Sequence, residues 1–328
     1  MPNIRSALKT LLVCIAIAAS PLHAQAPQSA AYPAKPIRLV LGFPAGGGAD
    51  SIVRVFIPSM ERVLGQPVII DYRPGASSSI AAENVAKSAP DGYTLHYIDA
   101  APLAITPNLR KVDFDPLTSF TPISQIVTGS FVLVAHPGVP AANFEALLAL
   151  LRSRPGAYTY GSSGTGSLGH LTGELFKLAS GTQLLHVPYK GGAQSMTDLI
   201  GGQLHFLFAS APTAAPQMRG GKIKAYAVTG ATRLAGLGDV PALRELGLKD
   251  FDASVWFGLV GPAGLPASIV ERIRAALLLA LEEPKAQEAI RLQGYETSTG
   301  TPEAFRDLIR RDLAKWGNVI RAAGIKLE

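Results

Sequence analysis

Short runs of branched apolar residues alternate with helical segments along most of this chain. Turn sequences such as Arg73-Pro74-Gly75 and Pro90-Asp91-Gly92 mark the edges of the apolar runs, which predict strands. Strands that alternate with helices are typical of an α/β fold with largely parallel sheets. The predicted strands cover 37–43, 68–71, 94–99, 131–135, 158–161, 184–188, 205–208, 224–228 and 255–260.

Three helix starts carry side chains that can cap them. An oxygen just before a helix accepts a backbone N–H of the first turn, and a glutamate three residues later reinforces the cap. These starts are Asn143 before 144–152, Ser268 with Glu271 before 272–281, and Thr301 with Pro302 before 303–321.

The first residues predict a cleaved secretory signal peptide over 1–24. Arg5 and Lys9 precede an apolar core at 11–19 that is too short to span a membrane, and small residues follow it. We therefore expect a periplasmic mature protein. The only cysteine, Cys14, lies in the signal, so we expect a mature chain without thiols or disulfides.

The length that remains, about 300 residues, predicts two lobes because single cores rarely grow so large. Loop-rich stretches at 120–129 and 229–253 are the candidate crossings between the lobes. Ligands of open α/β sheets bind outside the carboxyl ends of the strands, so a hinged pair places both sets of loops in one cleft. Lobe I is predicted to comprise 25–124 and 253–328, and lobe II 125–252.

The net charge is +6, or +4 without the two basic residues of the signal. This mild excess fits an anionic small ligand and equally a solvated basic surface. Nucleic-acid binding is not expected, since Lys and Arg do not cluster with interleaved aromatic residues. Without cysteine in the mature chain, and without a histidine pair at metal-ligand spacing, we expect neither zinc nor another cofactor.

An apolar run over 39–43 ends in the glycine loop Pro44-Ala45-Gly46-Gly47-Gly48. Glycines remove the side chains that keep a ligand from the backbone, and the first N–H groups of the next helix are then free to bind an anion. We expect this helix from Ser51, with Asp50 as its N-cap. The alternative is a tight strand-to-helix turn without a ligand, because lone glycine loops are weak signals.

The same construction returns in the second half of the chain, over 158–175. Several hydroxyls and a flexible backbone precede a predicted helix at 171–178, and such groups can bind a carboxylate without a buried arginine. Another strand end with a polar aromatic residue and a cation follows. The predicted ligand groups are Ser162, Ser163, Gly164 and Thr165 of the loop, and Tyr189 and Lys190 of the next strand end.

Templates for enzymes mostly fail on this sequence. A nucleophile elbow needs glycine where Thr165 stands, and the glycine loops match neither dinucleotide-binding nor phosphate-loop spacing. His170 and His186 are interpreted as capping or core histidines. A secreted hydrolase that uses one of the loop serines with His170 stays open as an alternative, and no catalytic residue is assigned.

In this order, the motifs strongly resemble the Bug-type solute receptors, which are the extracytoplasmic substrate-binding proteins of tripartite tricarboxylate transporters. Nearly the whole mature chain takes part in the resemblance. The matching motifs are Lys35-Pro36-Ile37, Phe43-Pro44-Ala45-Gly46-Gly47, Arg73-Pro74-Gly75-Ala76, Pro90-Asp91-Gly92-Tyr93-Thr94, Phe120-Thr121-Pro122-Ile123, His186-Val187-Pro188-Tyr189-Lys190-Gly191 and Trp256-Phe257-Gly258.

The resemblance implies a two-lobed fold of the type II periplasmic-binding-protein kind, which closes on a small carboxylate. In the family the first glycine loop holds a carboxylate partly through water, and this role transfers to Ala45, Gly46 and Gly47, beside Phe43. The facing loop transfers to 162–165. The resemblance also implies a membrane permease as partner, and we expect a monomer. A sensor that reports to a membrane signalling protein stays open as an alternative.

Three places depart from the family pattern. Ser77-Ser78-Ser79 stand where glycines are common, which places donors, Ser78 among them, near the cleft. Ala209 replaces a common aspartate that could pair with a ligand amine, so we expect an amine-free ligand, either a di- or tricarboxylate or an aromatic acid. Asp99-Ala100-Ala101 replaces a small polar loop; Ala100 belongs to the predicted site, and the orientation of Asp99 is left open.

Overall fold

The computed structural model describes residues 32–326, so the predicted signal peptide over 1–24 lies outside the described residues. The strands are β1 (Ile37–Leu41), β2 (Val68–Tyr72), β3 (Thr94–Asp99), β4 (Phe120–Ala135), β5 (Thr159–Ser162), β6 (Leu185–Pro188), β7 (Phe206–Ser210), β8 (Lys224–Val228), β9 (Ser254–Pro262) and β10 (Tyr295–Thr297). The helices are α1 (Gly48–Leu64), α2 (Ser79–Ala86), α3 (Thr106–Leu109), α4 (Phe144–Ser153), α5 (Leu168–Ser180), α6 (Gly192–Ile200), α7 (Ala211–Arg219), α8 (Ala267–Glu282), α9 (Pro284–Leu292) and α10 (Pro302–Ala322). A π-helical turn (Ala101–Ile105) precedes α3, and a short 3₁₀ turn (Ala235–Leu237) follows β8.

The strands form a mixed sheet in the order β2-β1-β3-β9-β4-β7-β5-β6, with β8 and β10 also paired to β4. Two groups are parallel, β2-β1-β3 at one end and β7-β5-β6 at the other. The prediction of largely parallel sheets is wrong for the centre, where every ladder of β4 and β9 is antiparallel. These two strands join the parallel groups, and each runs against its neighbours.

Strand β4 carries the chain from one group to the other. Its first part, as far as Ser130, pairs with β9, and its last part, from Phe131, pairs with β7 and β8. The prediction of a loop over 120–129 is wrong, because this stretch is continuous strand. Pairing with β9 accommodates its proline and hydroxyl residues through two register shifts. The predicted lobe boundaries at 124/125 and 252/253 stay a prediction; the pairing changes partner at Ser130.

The two connections between the groups meet at a set of buried hydrogen bonds, the hinge cluster (Ser130, Phe131, Thr229, Gly230 and Ala253). Ser130 Oγ accepts the backbone N–H groups of Thr229 at 2.9 Å and Gly230 at 2.8 Å. Thr229 Oγ1 accepts Phe131 N–H at 3.1 Å and donates to Ala253 O at 3.2 Å. Each of these two buried hydroxyls therefore accepts at least one backbone N–H from the other connection.

Apolar packing covers both faces of the sheet. Helices α1 and α8 pack on the face that carries Tyr97, and Phe56 of α1 lies against its ring with centroids 6.2 Å apart. On the other face one cluster continues through both strand groups, from Trp316 of α10 to Phe176 of α5. Within residues 32–326, no helix has the length and apolar character needed to cross a bilayer.

Two of the three predicted helix caps are confirmed. Asn143 Oδ1 accepts Ala146 N–H at 2.9 Å, and Thr301 Oγ1 accepts Ala304 N–H at 3.2 Å. The capping box predicted at Ser268 is wrong. Helix α8 begins at Ala267, before Ser268, and its N-cap is Pro266, which makes no side-chain hydrogen bond. A proline at this place has an extended backbone that ends the preceding loop without an oxygen cap.

Candidate functional site

The first glycine loop turns the chain from β1 directly into α1, which begins at Gly48 and not at Ser51. The prediction that Asp50 is the N-cap is wrong, because Gly47 holds that position. Asp50 lies within the first turn and reaches back, so that its carboxylate accepts Gly46 N–H at 2.8 Å and the Tyr72 hydroxyl at 2.6 Å. The carboxylate thus braces the base of the loop and leaves the N-terminal end of α1 open.

Burial acts to raise the pKa of Asp50, but other interactions outweigh it. Hydrogen bonds from Tyr72 and Gly46, together with the ion pair to Arg54 (Nε–Oδ2 3.0 Å), hold the pKa of this carboxyl below its usual range. A depressed carboxyl pKa stabilises the fold above the pKa of the unfolded chain and loses this effect only as the pH falls through the folded value. The brace therefore stays ionised at neutral pH.

The segment before α2 lies beneath this loop in a strained conformation. Ala76, Ser77 and Ser78 have positive φ angles of 50°, 53° and 64°. Ser78 is buried and donates from Oγ to Gly42 O at 3.2 Å. A Cβ atom added to Gly42 would lie 2.4 Å from Ser78 Cβ, so the two segments touch closely. Strained backbone of this kind concentrates at ligand sites.

We expect Ser77→Gly to raise the free energy of unfolding by up to about 1 kcal/mol. Ser77 is exposed, and glycine adopts its left-handed backbone without the Cβ clash. Urea denaturation measures the change. Ser153→Gly, at the end of α4, is the control and should lower the free energy of unfolding by about 0.5–1 kcal/mol. If Ser77→Gly lowered the free energy of unfolding as much as Ser153→Gly does, the backbone at Ser77 would not be strained.

The second loop also turns a strand directly into a helix. Strand β5 ends at Ser162, and α5 begins at Leu168, three residues before the predicted 171. Ser167 is its N-cap and accepts His170 N–H at 3.3 Å. Gly164 has φ +123°, a value that side chains rarely permit, and donates its N–H to Ser162 Oγ at 3.1 Å.

A cavity of about 190 Å³ opens at the end of β5 and β7. The N-terminal ends of α5, α6 and α7 converge on it, and five hydroxyl side chains line it between two phenylalanine rings. None of the lining residues carries a charge. Helix N–H groups and hydroxyls are donors suited to an anion. Ser195 Oγ already donates to Gly192 O at 2.9 Å, and the hydroxyls of Ser210 and Thr213 bond to each other at 2.7 Å. The lining residues are Phe131, Ser162, Ser163, Gly169, Gly192, Ser195, Leu207, Phe208, Ala209, Ser210 and Thr213.

The structure brings part of the predicted site together. Ser162, Ser163 and Ala209 line the cavity, whereas Gly164 and Thr165 lie in the same loop without lining it. Tyr189 donates its hydroxyl to Asp198 Oδ2 at 2.8 Å, so this group already has a partner. Lys190 is exposed. The residues that line this cavity all come from 131–213, and none belongs to the first glycine loop.

Ser195, Ser210 and Thr213 also line the cavity and were missed from the sequence. Ser210 ends β7 immediately before α7, and Ser195 lies in the first turn of α6 after Gly192. A strand that runs directly into a helix was the signal used for the other two loops, and it was present here as well.

Two stacked imidazole rings, those of His170 and His186, lie next to Ser162. The rings of His170 and His186 are 3.8 Å apart between centroids and 11° from parallel, and His186 Nε2 lies 2.7 Å from Ser162 Oγ. Burial, and then the neighbouring His170, lower the pKa of His186 to about 3. Burial also lowers the pKa of His170, whose Nδ1 accepts Gly166 N–H at 3.1 Å. Both rings are therefore neutral, and the ring that is hydrogen-bonded to Ser162 is that of His186, not that of His170.

The strand ends of the first group form a wall of different character. Phe43 is half-buried, and its ring meets that of Phe257 with centroids 5.8 Å apart. Ala100 is buried directly after β3, where the π-helical turn begins. Asp99 is the last residue of β3 and pairs with Phe257 of β9.

Comparison with protein families gives one model that covers most of the chain. Residues 52–325 match the family described as "Tripartite tricarboxylate transporter family receptor". The chain is 34% identical over 321 residues to Protein BugT of Bordetella pertussis, an alignment that covers 97% of this chain and 98% of that protein.

Two solved structures of similar proteins hold small acids. The first is "R. palustris Rpa4515 with adipate", with 32% identity, a TM-score of 0.75, and coverage of 90% of this chain and 99% of that one. The second is MatC (Rpa3494) of Rhodopseudomonas palustris with bound malate, with 27% identity, a TM-score of 0.72, and coverage of 88% and 100%.

Proposed function

Because this chain belongs to the tripartite tricarboxylate transporter receptor family, we propose that it captures a small carboxylate in the cleft between its lobes and delivers it to a membrane permease. Proteins of this family are solute-binding receptors and not enzymes. The single observation that carries the choice of ligand is the uncharged cavity at Ser162, where three helix N-terminal ends and five hydroxyls converge.

The cavity is suited to one carboxylate end of the ligand. Each helix terminus contributes roughly 0.3–2 kcal/mol to an anion at its end, so hydrogen bonds from hydroxyls must supply much of the affinity. Closure of the lobes would bring the loop at Ala45, Gly46 and Gly47 across the other end of the ligand. Lobe closure around a ligand is a common mode of domain motion.

We infer that the ligand is a di- or tricarboxylate or an aromatic acid. Adipate and malate, the acids in the two similar structures, are both dicarboxylates. The absence of an acidic side chain at Ala209 supports the same class, since the residues that line the cavity include no negatively charged partner for an amine. We further propose a periplasmic monomer, released by cleavage of the signal over 1–24. A sensor role is the alternative, and it would use the same binding step.

The test is a thermal-shift panel with the purified mature protein. We expect at least one of adipate, malate, citrate and a set of aromatic acids to raise the melting temperature, because a ligand at 100 times its dissociation constant adds about 2.7 kcal/mol to stability. The neutral diamides of the same acids are the controls and should give no shift. A panel of several dozen acids without any shift at millimolar concentration would refute the proposal.

A further inference from the structure

Asp99 occupies a defined place in the wall formed by the first strand group. Leu41, the last residue of β1, pairs with Tyr97 of β3, and Asp99 lies two residues further along β3 on the same face as Tyr97. Across the sheet Asp99 pairs with Phe257 of β9. Asp99 therefore lies beside Phe257, whose ring contacts those of Phe43 and Tyr97, at the carboxyl end of β3, where open α/β sheets bind their ligands.

One oxygen of the Asp99 carboxyl has no hydrogen-bond partner. Its Oδ1 atom is buried and makes no hydrogen bond, and the hydroxyl of Tyr97 below it is also buried without a partner. Backbone N–H groups of Asp99 and Ala101 are the favourable groups that act on the carboxylate, and no cation is among them. A buried carboxyl oxygen without a hydrogen bond is costly, so an explanation in function is warranted.

The surroundings of Asp99 favour its neutral form. Burial raises the pKa of Asp99 to about 7, against the opposing effect of the two backbone N–H groups. Tyr97 and Tyr295 face it and stay uncharged, since burial raises the pKa of Tyr295 to about 12 and raises the pKa of Tyr97 well above its usual value. Burial lowers the pKa of His96, on the other face of β3, to about 4, so this ring is neutral too.

Two other acidic side chains on the elements around this wall have partners. Asp50, in the first turn of α1, is braced by Arg54 and Tyr72. Glu296 of β10 accepts the backbone N–H of Ala235 at 3.3 Å. Asp99 is therefore the group of this wall whose charge changes near neutral pH. The N-terminal end of α1 follows β1 at the same edge, and its positive end favours an anion there over an ammonium group.

We propose that Asp99 acts as a neutral carboxylic acid that donates a hydrogen bond to the second carboxylate of a dicarboxylate, whose first carboxylate occupies the cavity at Ser162. This inference rests on the proposed function and adds to it a ligand class and a proton. When Asp99 is ionised before binding, it takes one proton from solvent, and no other bond changes. Two carboxyl groups that share one proton are a known arrangement in proteins.

Titration calorimetry of the mature protein with adipate and malate tests this directly. Measurements at one pH in two buffers of different ionisation enthalpy give the number of protons taken up. We expect about half a proton at pH 7 and nearly one at pH 8, because a group with a pKa near 7 is half ionised at pH 7. The affinity should fall roughly tenfold between pH 6 and pH 8.

Two substitutions separate hydrogen bonding from titration. Asp99→Asn keeps an N–H donor and cannot titrate, so binding should persist without proton uptake and without pH dependence. Asp99→Ala lacks the donor and should bind more weakly than the wild type at pH 6. Asp250→Asn, at an exposed position, is the matched control and should behave as the wild type. Melting curves establish that each variant is folded.

The possible results distinguish this inference from the proposed function. Binding of adipate or malate that is independent of pH would overturn the role of Asp99 and leave the function intact. Tighter binding of aspartate or 6-aminohexanoate with release of protons would show Asp99 as the partner of an amine, which also overturns it. If neither dicarboxylate binds at pH 6 while another acid of the panel does, the inference fails alone. If no acid binds, both fail.

Discussion

Ser163→Asp is expected to abolish carboxylate binding and, at the same time, to raise the melting temperature of the unliganded protein. Ser163 lines the cavity on which three helix N-terminal ends converge. A carboxylate on this side chain would take the place of the ligand's carboxylate and gain roughly 1 kcal/mol from the helix ends. A ligand carboxylate beside it would meet a like charge, so we expect a loss of affinity of about 100-fold or more.

The opposite signs of the two effects make this prediction specific. Calorimetry gives the affinity for an acid that binds the wild type, and thermal unfolding without ligand gives the stability. Ser163→Asn is the control, because asparagine has nearly the same shape as aspartate without its charge. This variant should bind the acid with a modest loss of affinity and show no gain in stability. A Ser163→Asp protein that is less stable than the Asn variant would contradict an anion site in this cavity.

Ser130→Ala is expected to lower the free energy of unfolding by about 2–4 kcal/mol, although it removes only one oxygen atom. This oxygen accepts two buried backbone N–H groups, those of Thr229 and Gly230. Each buried donor left without an acceptor costs about 1–3 kcal/mol. The loss falls on the hinge cluster, where the two connections between the strand groups meet.

Urea denaturation measures this loss, and Ser153→Ala on an exposed helix end is the control with an expected change below about 0.5 kcal/mol. Thr229→Val keeps the shape of the side chain and removes the second hydroxyl of the cluster. The two hydroxyl oxygens are 3.4 Å apart and share partners, so the double variant should lose less than the sum of the single losses. If Ser130→Ala changed the free energy of unfolding no more than Ser153→Ala, the hydrogen bonds of Ser130 in the hinge cluster would contribute nothing to stability.

Local chemistry explains which features could be read from the chain. The glycine loops, the caps at Asn143 and Thr301, and the bounds of β3 and β8 depend on residues that are close in sequence. Backbone preferences and short-range hydrogen bonds decide such features, so their residues suffice to predict them. The N-cap prediction at Asp50 failed for a local reason as well. Asp50 does accept a backbone N–H, but it is that of Gly46 in the preceding loop and not one from the first turn of α1.

Features that failed depend on partners far along the chain. The stretch at 120–129 looks like a loop by composition, and only pairing with β9 makes it a strand. His186 takes the place at Ser162 that was considered for His170, because β6 lies beside β5 in the sheet.

The sequence by itself determined the α/β class, the strand-to-helix units that open toward an anion, and the resemblance to a receptor family, since all three reside in local patterns and their order. Only the tertiary structure decided that three helix ends share one cavity, that Ser130 and Thr229 join the two connections, and that Asp99 Oδ1 lies beside Phe257 without a hydrogen bond. Those arrangements arise from strand order and register, which pair residues distant in the chain and which no local pattern encodes.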